Sequence, residues 1–172
     1  ARSSDVVVRS SGCLAHIYFN ITRERMDVSE LAILYPQLVD ALSDTAAIGL
    51  VLGTDDGKPV VITNHGTALL STAWLPPGLP EPERNVADLT RLVSFPHSGD
   101  LILLGAWNDH NQVVTFEEQI ATHGGISGPQ EFPFFITPPD APLDLSSITN
   151  SRQLYPYFMR HYHCREVAAA ES

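Results

Sequence analysis

No apolar run in this chain exceeds about eight residues, and a membrane-spanning helix needs roughly 18. The best runs, Ala46–Gly53 and Leu101–Trp107, stop at Thr-Asp and Asn-Asp pairs. Short elements folded around one core are what such a pattern allows. With 172 residues, 44% apolar and 17% charged, the chain is long enough for one domain with an appendage and short for two independent ones. It is therefore expected to be soluble. Residues 1–5 carry no apolar signal-peptide core, so nothing here directs export, and they read as a start in mid-domain.

Ten Lys+Arg stand against twenty Asp+Glu, a net charge of -10. That balance excludes a nucleic-acid-binding surface, since affinity for a phosphate backbone comes from a basic face that neutralises it. An acidic chain that handles phosphate borrows positive charge from bound metal. Cys13 and Cys164 lie far apart without CxxC spacing and are expected as free thiols.

The order of elements follows from periodicity and punctuation. Val6–Val8 and Leu14–Phe19 read as strand around a bend or bulge at Ser10-Ser11-Gly12. Ser29 is a candidate N-cap for a helix carrying Leu31, Leu34, Leu38 and Leu42, which Pro36 should break into two pieces near Tyr35. Ile48–Leu52 and Pro59–Thr63 flank a Gly-containing turn and predict a hairpin, with Thr67–Ser71 returning after Asn64-His65-Gly66. Leu75–Pro82 reads as surface loop, since its four prolines cannot continue a helix or a central strand. Asn85 is a candidate cap for a helix over Val86–Val93, and Leu101–Trp107 suits a strand buried on both faces.

The order β, α, β, β, α, β predicts an α+β fold of the ferredoxin-like, split βαβ kind: an antiparallel sheet with two helices on one face. Residues 1–105 would form this unit. Residues 106–172 would be a separate C-terminal segment, ending in a helix over Ser151–Tyr162 with Pro156 in its first turn or kinking it.

Among seven histidines, His123 stands out because two glycines follow it in Ala121-Thr122-His123-Gly124-Gly125. Glycines let the backbone bring a ligand or metal close. Imidazole is a favoured zinc ligand, and Glu118 is near enough in sequence to orient it. Three segments carry a resemblance: DVVVRSSGCLAHIYFN at 5–20, FPHSGDLILLG at 95–105, and above all FEEQIATHGGISGPQEFPFF at 116–135. Together they resemble the C-terminal part of the type I phosphodiesterase/nucleotide pyrophosphatase family, metallohydrolases of the alkaline phosphatase superfamily.

That resemblance implies that His123 is the family's last metal-ligating histidine, that residues 5 to about 105 correspond to a cap-like insertion, and that the rest is a remnant of the alkaline-phosphatase-like α/β core. The cofactor it implies is a divalent metal, zinc or manganese. The substrate it implies is a phosphodiester or nucleotide. The family's nucleophile and remaining ligands come from earlier positions. Asp109-His110-Asn111 follows the insertion and lacks the glycine of the family's Asp-His-Gly, so it takes no ligand role. The chain is thus expected to be a fragment of such a hydrolase, inactive without an N-terminal catalytic half or another chain.

Weaker patterns take structural readings. His65-Gly66 reads as a turn, and His161-Tyr162-His163-Cys164 as a solvated tail with soft ligands. Gly125-Ile126-Ser127-Gly128-Pro129 lacks the final glycine of a nucleophile elbow. Trp74, Trp107, Phe132, Phe134 and Phe135 read as packing residues, some of them at an interface with the other half. Unpartnered, they would form an exposed apolar patch, and a homodimer is the consequence expected. The alternative to the hydrolase reading is a non-catalytic α+β binding or dimerisation module.

Overall fold

The computed structural model describes residues 5–108, 110, 112–126, 130 and 133–161. Two β-rich runs meeting at Gly12 form a hairpin of β1 (Val6–Ser11) and β2 (Leu14–Phe19), with Val6 opposite Phe19 and Ser11 opposite Leu14. The bend read from the sequence is a tight turn, with Gly12 at φ +62°. The second hairpin joins β3 (Ile48–Asp55) and β4 (Lys58–Thr63) through Asp56 at φ +49° and Gly57 at φ +69°. Two successive positive φ values match the twist of the flanking strands. β5 (Gly66–Leu69) returns along β4.

α1 (Val28–Leu34) starts from Asp27, two residues before the expected Ser29. The Asp27 N–H donates to the Glu30 carboxylate at 2.9 Å, which satisfies a group the helix leaves open. α2 (Pro36–Asp44) begins at the proline, as the missing N–H requires, and the two helices meet at Tyr35. α3 (Pro82–Val93) begins four residues earlier than Val86. Asn85, expected as its cap, is instead buried in the first turn, and its Nδ2 donates to the Pro80 carbonyl at 2.7 Å. The preceding Pro-rich loop is not purely superficial either, since Leu75 and Leu79 are buried.

The split βαβ arrangement is corrected by the sheet. That plan needs β2 beside and parallel to β4, with the last strand at an edge. The observed order is β1-β2-β6-β3-β4-β5, with every pair antiparallel and β6 (Leu101–Gly105) in the middle. Ile102 lies opposite both His16 and Leu52, and Leu103 opposite both Ala15 and Val51.

Alternation then divides the core. Ala15, Ile17, Val51, Val60, Ile62, Leu101 and Leu103 pack with Val28 and Leu31 of α1 and Val39 of α2. Leu50, Leu52, Val61, Ile102 and Leu104 pack with Leu89 and Val93 of α3. Odd and even residues of β6 belong to different clusters, so the helices cover opposite faces and not one. Leu52, Leu101 and Ile102 are fully buried, and truncating any of them to alanine should cost about 2–5 kcal/mol.

The chain divides into two compact units, Ala1–Pro133 and Phe134–Ser172. Residues 106–126, assigned from sequence to the C-terminal segment, belong to the first. Ala106 N–H donates to the Ala47 carbonyl and Val114 N–H to that of Ala106. The described residues of the second unit form 3-10 turns at Leu145–Ser147 and Ser151–Leu154, then α4 (Tyr155–His161). Pro156 lies in its first turn, where a missing N–H breaks no helical bond. No strand occurs among them. Tyr162, His163 and Cys164 lie outside the described residues, as do Asp109, Asn111, Ser127–Pro129 and Phe132. Among the described residues no helix is long and apolar enough to cross a membrane.

Strand order sets local stability, because central strands open only with the whole domain. Amide exchange of Leu101–Leu104 should match global unfolding, while β1 and β5 exchange much faster. Edge-like rates in β6 would restore the split βαβ order.

Candidate functional site

The Gly12 turn is a docking point as well as a reversal of direction. A Cβ at Gly12 would sit 2.2 Å from the His123 carbonyl oxygen and 2.4 Å from Thr122 Oγ1. Only glycine permits both this approach and the positive φ. The neighbouring Cys13 N–H donates to the His123 carbonyl at 2.9 Å. The Phe116 N–H donates to the Gly12 carbonyl, also at 2.9 Å. The loop from Phe116 to Gly125 is thereby fastened to the β1–β2 hairpin from both of its ends.

The carboxylate that secures it is Glu117, whereas the sequence pointed to Glu118. Glu117 Oε2 accepts from the Gly12 N–H at 3.1 Å and from Gln119 Nε2 at 2.7 Å, and Oε1 accepts from Ser10 Oγ at 3.1 Å. Hydrogen bonds to an ionised group are about twice as strong as neutral ones. Glu118 is exposed and has no hydrogen bond to His123. Gln130 completes the clamp: its Oε1 accepts from the Gly125 N–H at 2.9 Å and its Nε2 donates to Cys13 Sγ at 3.4 Å. Cys13 is a buried free thiol.

His123 thus has its main chain fixed and its side chain exposed. No group of three His, Cys, Asp or Glu side chains able to hold a metal occurs among the described residues. His65 belongs to a turn, where its N–H donates to Thr63 Oγ1 at 3.1 Å. His110 N–H donates to Asn108 Oδ1 at 3.0 Å, again a turn contact. Trp107 lies against the α3-side cluster, and Phe134 and Ile136 are largely exposed.

At the opposite end of β2, sequence reading missed a polar cluster. Asp100, read only as the boundary of a strand, is buried, and its two oxygens accept from Phe19 N–H and Met26 N–H at 2.7 Å each. Arg25 Nη1 donates to the Val93 carbonyl at the C-terminal end of α3, where positive charge is favoured. Its pKa is lowered by burial, against which the charges of Asp100, Asp27 and Tyr18 act. His16 Nδ1 accepts from the Gly99 N–H at 2.9 Å, which fixes the neutral ring with its proton on Nε2. The one signal that could have pointed here is an aspartate immediately before a wholly apolar strand.

No protein-family model, curated protein or solved structure matches this chain.

Gly12→Ala should cost at least about 2 kcal/mol, from the left-handed backbone and the clash together. Gly57→Ala, equally left-handed but open around its Cβ position, should cost only about 1 kcal/mol. Equal losses in denaturant melts would show that the loop does not press on the turn. For His16, burial and then the charge of Arg25 hold the pKa below its usual value. The unfolded chain therefore takes up the proton first, at about pH 6.5. Its contribution to stability is complete above that pH and is lost as the pH falls towards the folded value. His16→Asn keeps an acceptor for Gly99 and should flatten this part of the stability profile between pH 7 and 5.

Proposed function

We propose that this chain is part of a metal-dependent phosphodiesterase or nucleotide pyrophosphatase-like hydrolase. In this reading the six-stranded unit is a cap-like insertion, and the C-terminal segment is a remnant of an alkaline-phosphatase-like core. His123 is the metal ligand the chain contributes. The observation that carries the reading is the His-Gly-Gly loop: the segment with the most distinctive resemblance is pinned through its backbone, and its imidazole is left exposed.

Two-metal hydrolysis needs a full set of ligands around cations roughly 3.5–4 Å apart. One imidazole does not supply that set, and the described residues do not complete it. The nucleophile and the other zinc or manganese ligands would come from a catalytic half outside these residues. No chemical step is assigned to this chain. Its part is to place one imidazole and to cover the site above a phosphodiester or nucleotide substrate.

Two open sheet edges favour a second reading, a non-catalytic binding or dimerisation module. Among the described residues β1 and β5 each lack a neighbour on one side, and Val8 and Leu69 are exposed on them. Unpaired edges are templates for pairing with another chain.

Hydrolysis of a chromogenic phosphodiester with zinc or manganese separates these readings. The 172-residue chain should show no turnover alone. Joined to a catalytic half, it should show metal-dependent turnover that His123→Ala abolishes. Metal-dependent turnover by the chain alone would refute its dependence on a second half. Unchanged turnover in His123→Ala would remove the ligand role. A stable dimer that is indifferent to metal and to His123→Ala would favour the module.

A further inference from the structure

The polar cluster at the far end of β2 opens into a cleft of about 210 Å³ between the loop after β2 and the loop before β6. Tyr18, Thr22, Arg23, Arg25, His97 and Asp100 are among its walls. From the Gly12 turn to this end is six strand residues, about 20 Å at roughly 3.3 Å each. The cleft is therefore separate from the His-Gly-Gly loop.

Two arginines, Arg23 and Arg25, and two carboxylates, Glu24 and Asp100, line it. Carboxylates outnumber cations twenty to ten, so arginines have a surplus of potential partners. The ion pairs among the described residues nevertheless involve Lys58 with Asp56, and Arg84 with Glu81 and Asp88. Among the described residues Arg23 and Arg25 form none, as is also true of Arg9, Arg91, Arg152 and Arg160. The nearest carboxylate to Arg25 in influence, Asp100, has both oxygens engaged by backbone N–H groups. It stabilises the guanidinium at a distance without occupying its donors.

Those donors are the second observation. Arg25 Nη1 is committed to the Val93 carbonyl, but Nε and Nη2 are buried and have no acceptor among the described residues. Leaving buried donors unpaired costs about 1–3 kcal/mol, and more for a charged group. Nε and Nη2 form the edge of the guanidinium that grips two oxygens of one oxyanion. Arg25 is half-buried and is among the residues that line the cleft. Exposed Arg23, two residues away, supplies a second cation. Of the neutral donors nearby, Tyr18 Oη donates to the His97 carbonyl, Thr22 Oγ1 to that of Glu24 and Ser98 Oγ to that of Leu92. Recognition of charge thus falls to the arginines.

We propose that this cleft binds a small oxyanion, with a phosphoryl group as the preferred form, between Arg23 and Arg25. The bidentate edge and the second cation suit a group with three available oxygens and more than one negative charge. The site is independent of His123 and holds whichever reading of overall function stands.

The test is titration of the full chain with inorganic phosphate, with NaCl holding ionic strength constant, read by amide chemical shifts and by Tm. Saturable shifts should appear over residues 18–25 and 96–100, with Tm rising as binding to the folded state alone requires. Arg23→Gln changes an exposed side chain and should weaken binding about tenfold without unfolding the protein. Arg25→Lys retains the charge, loses the fork and should weaken it similarly. His123→Ala should bind as the unmodified chain does. Acetate serves as a second probe, and weaker saturation by acetate than by phosphate supports the phosphoryl preference. Acetate binding as tightly as phosphate would overturn that preference. Absence of saturation by both anions, indifference to both arginine substitutions, or loss of binding in His123→Ala would overturn the site.

Discussion

Everything in the first unit depends on β6 entering between β2 and β3. Its neighbours lie some 85 and 50 residues earlier in the chain, a separation on the order of half its length. The two hairpins can form locally, but neither has a complete face until Leu101–Gly105 joins them. Leu101 and Leu103 then close the cluster under α1 and α2, while Ile102 and Leu104 close the one under α3. One strand of five residues belongs to both cores, so the domain's two halves gain their burial together.

Asp100 reinforces that insertion at its start. By accepting from Phe19 and Met26 it ties the end of β2 and the approach to α1 to the first residue before β6. Gly99 beside it donates to His16, so successive residues fasten the same corner. The corner beside α3 gathers His16, Arg25 and Asp100, and the cleft proposed for an oxyanion opens directly onto it.

The other end of β2 works by close approach. Gly12 lets the His123 carbonyl come within reach, and Glu117 reads three donors that the turn and its neighbours present. In the hydrolase reading this matters because a ligand histidine needs a rigid base. The loop obtains that base from a hairpin more than 100 residues earlier, and the first unit consequently extends past residue 105.

Most elements were legible in the sequence because local chemistry decides them. Pro36 had to begin a helix, Asp-Gly had to turn a hairpin, and the apolar run after Asp100 had to be a strand buried on both faces. Cap positions were less legible. Asp27 and Glu81 took the places read for Ser29 and Asn85; the Asp27 carboxylate also accepts from the distant Asp56 N–H, while the Asn85 side chain donates to the nearby Pro80 carbonyl. The position of His123 in a glycine-rich loop was also visible, but the choice of Glu117 over Glu118 was not, since it depends on which carboxylate faces the Gly12 turn. By itself, then, the sequence determined the α+β class, the run of short elements and the acidic, arginine-only character of most of its cations. Only the tertiary structure decided where β6 inserts, which faces the helices cover and which arginines lack a carboxylate. Those outcomes rest on contacts between segments far apart in the chain, and no local pattern encodes them.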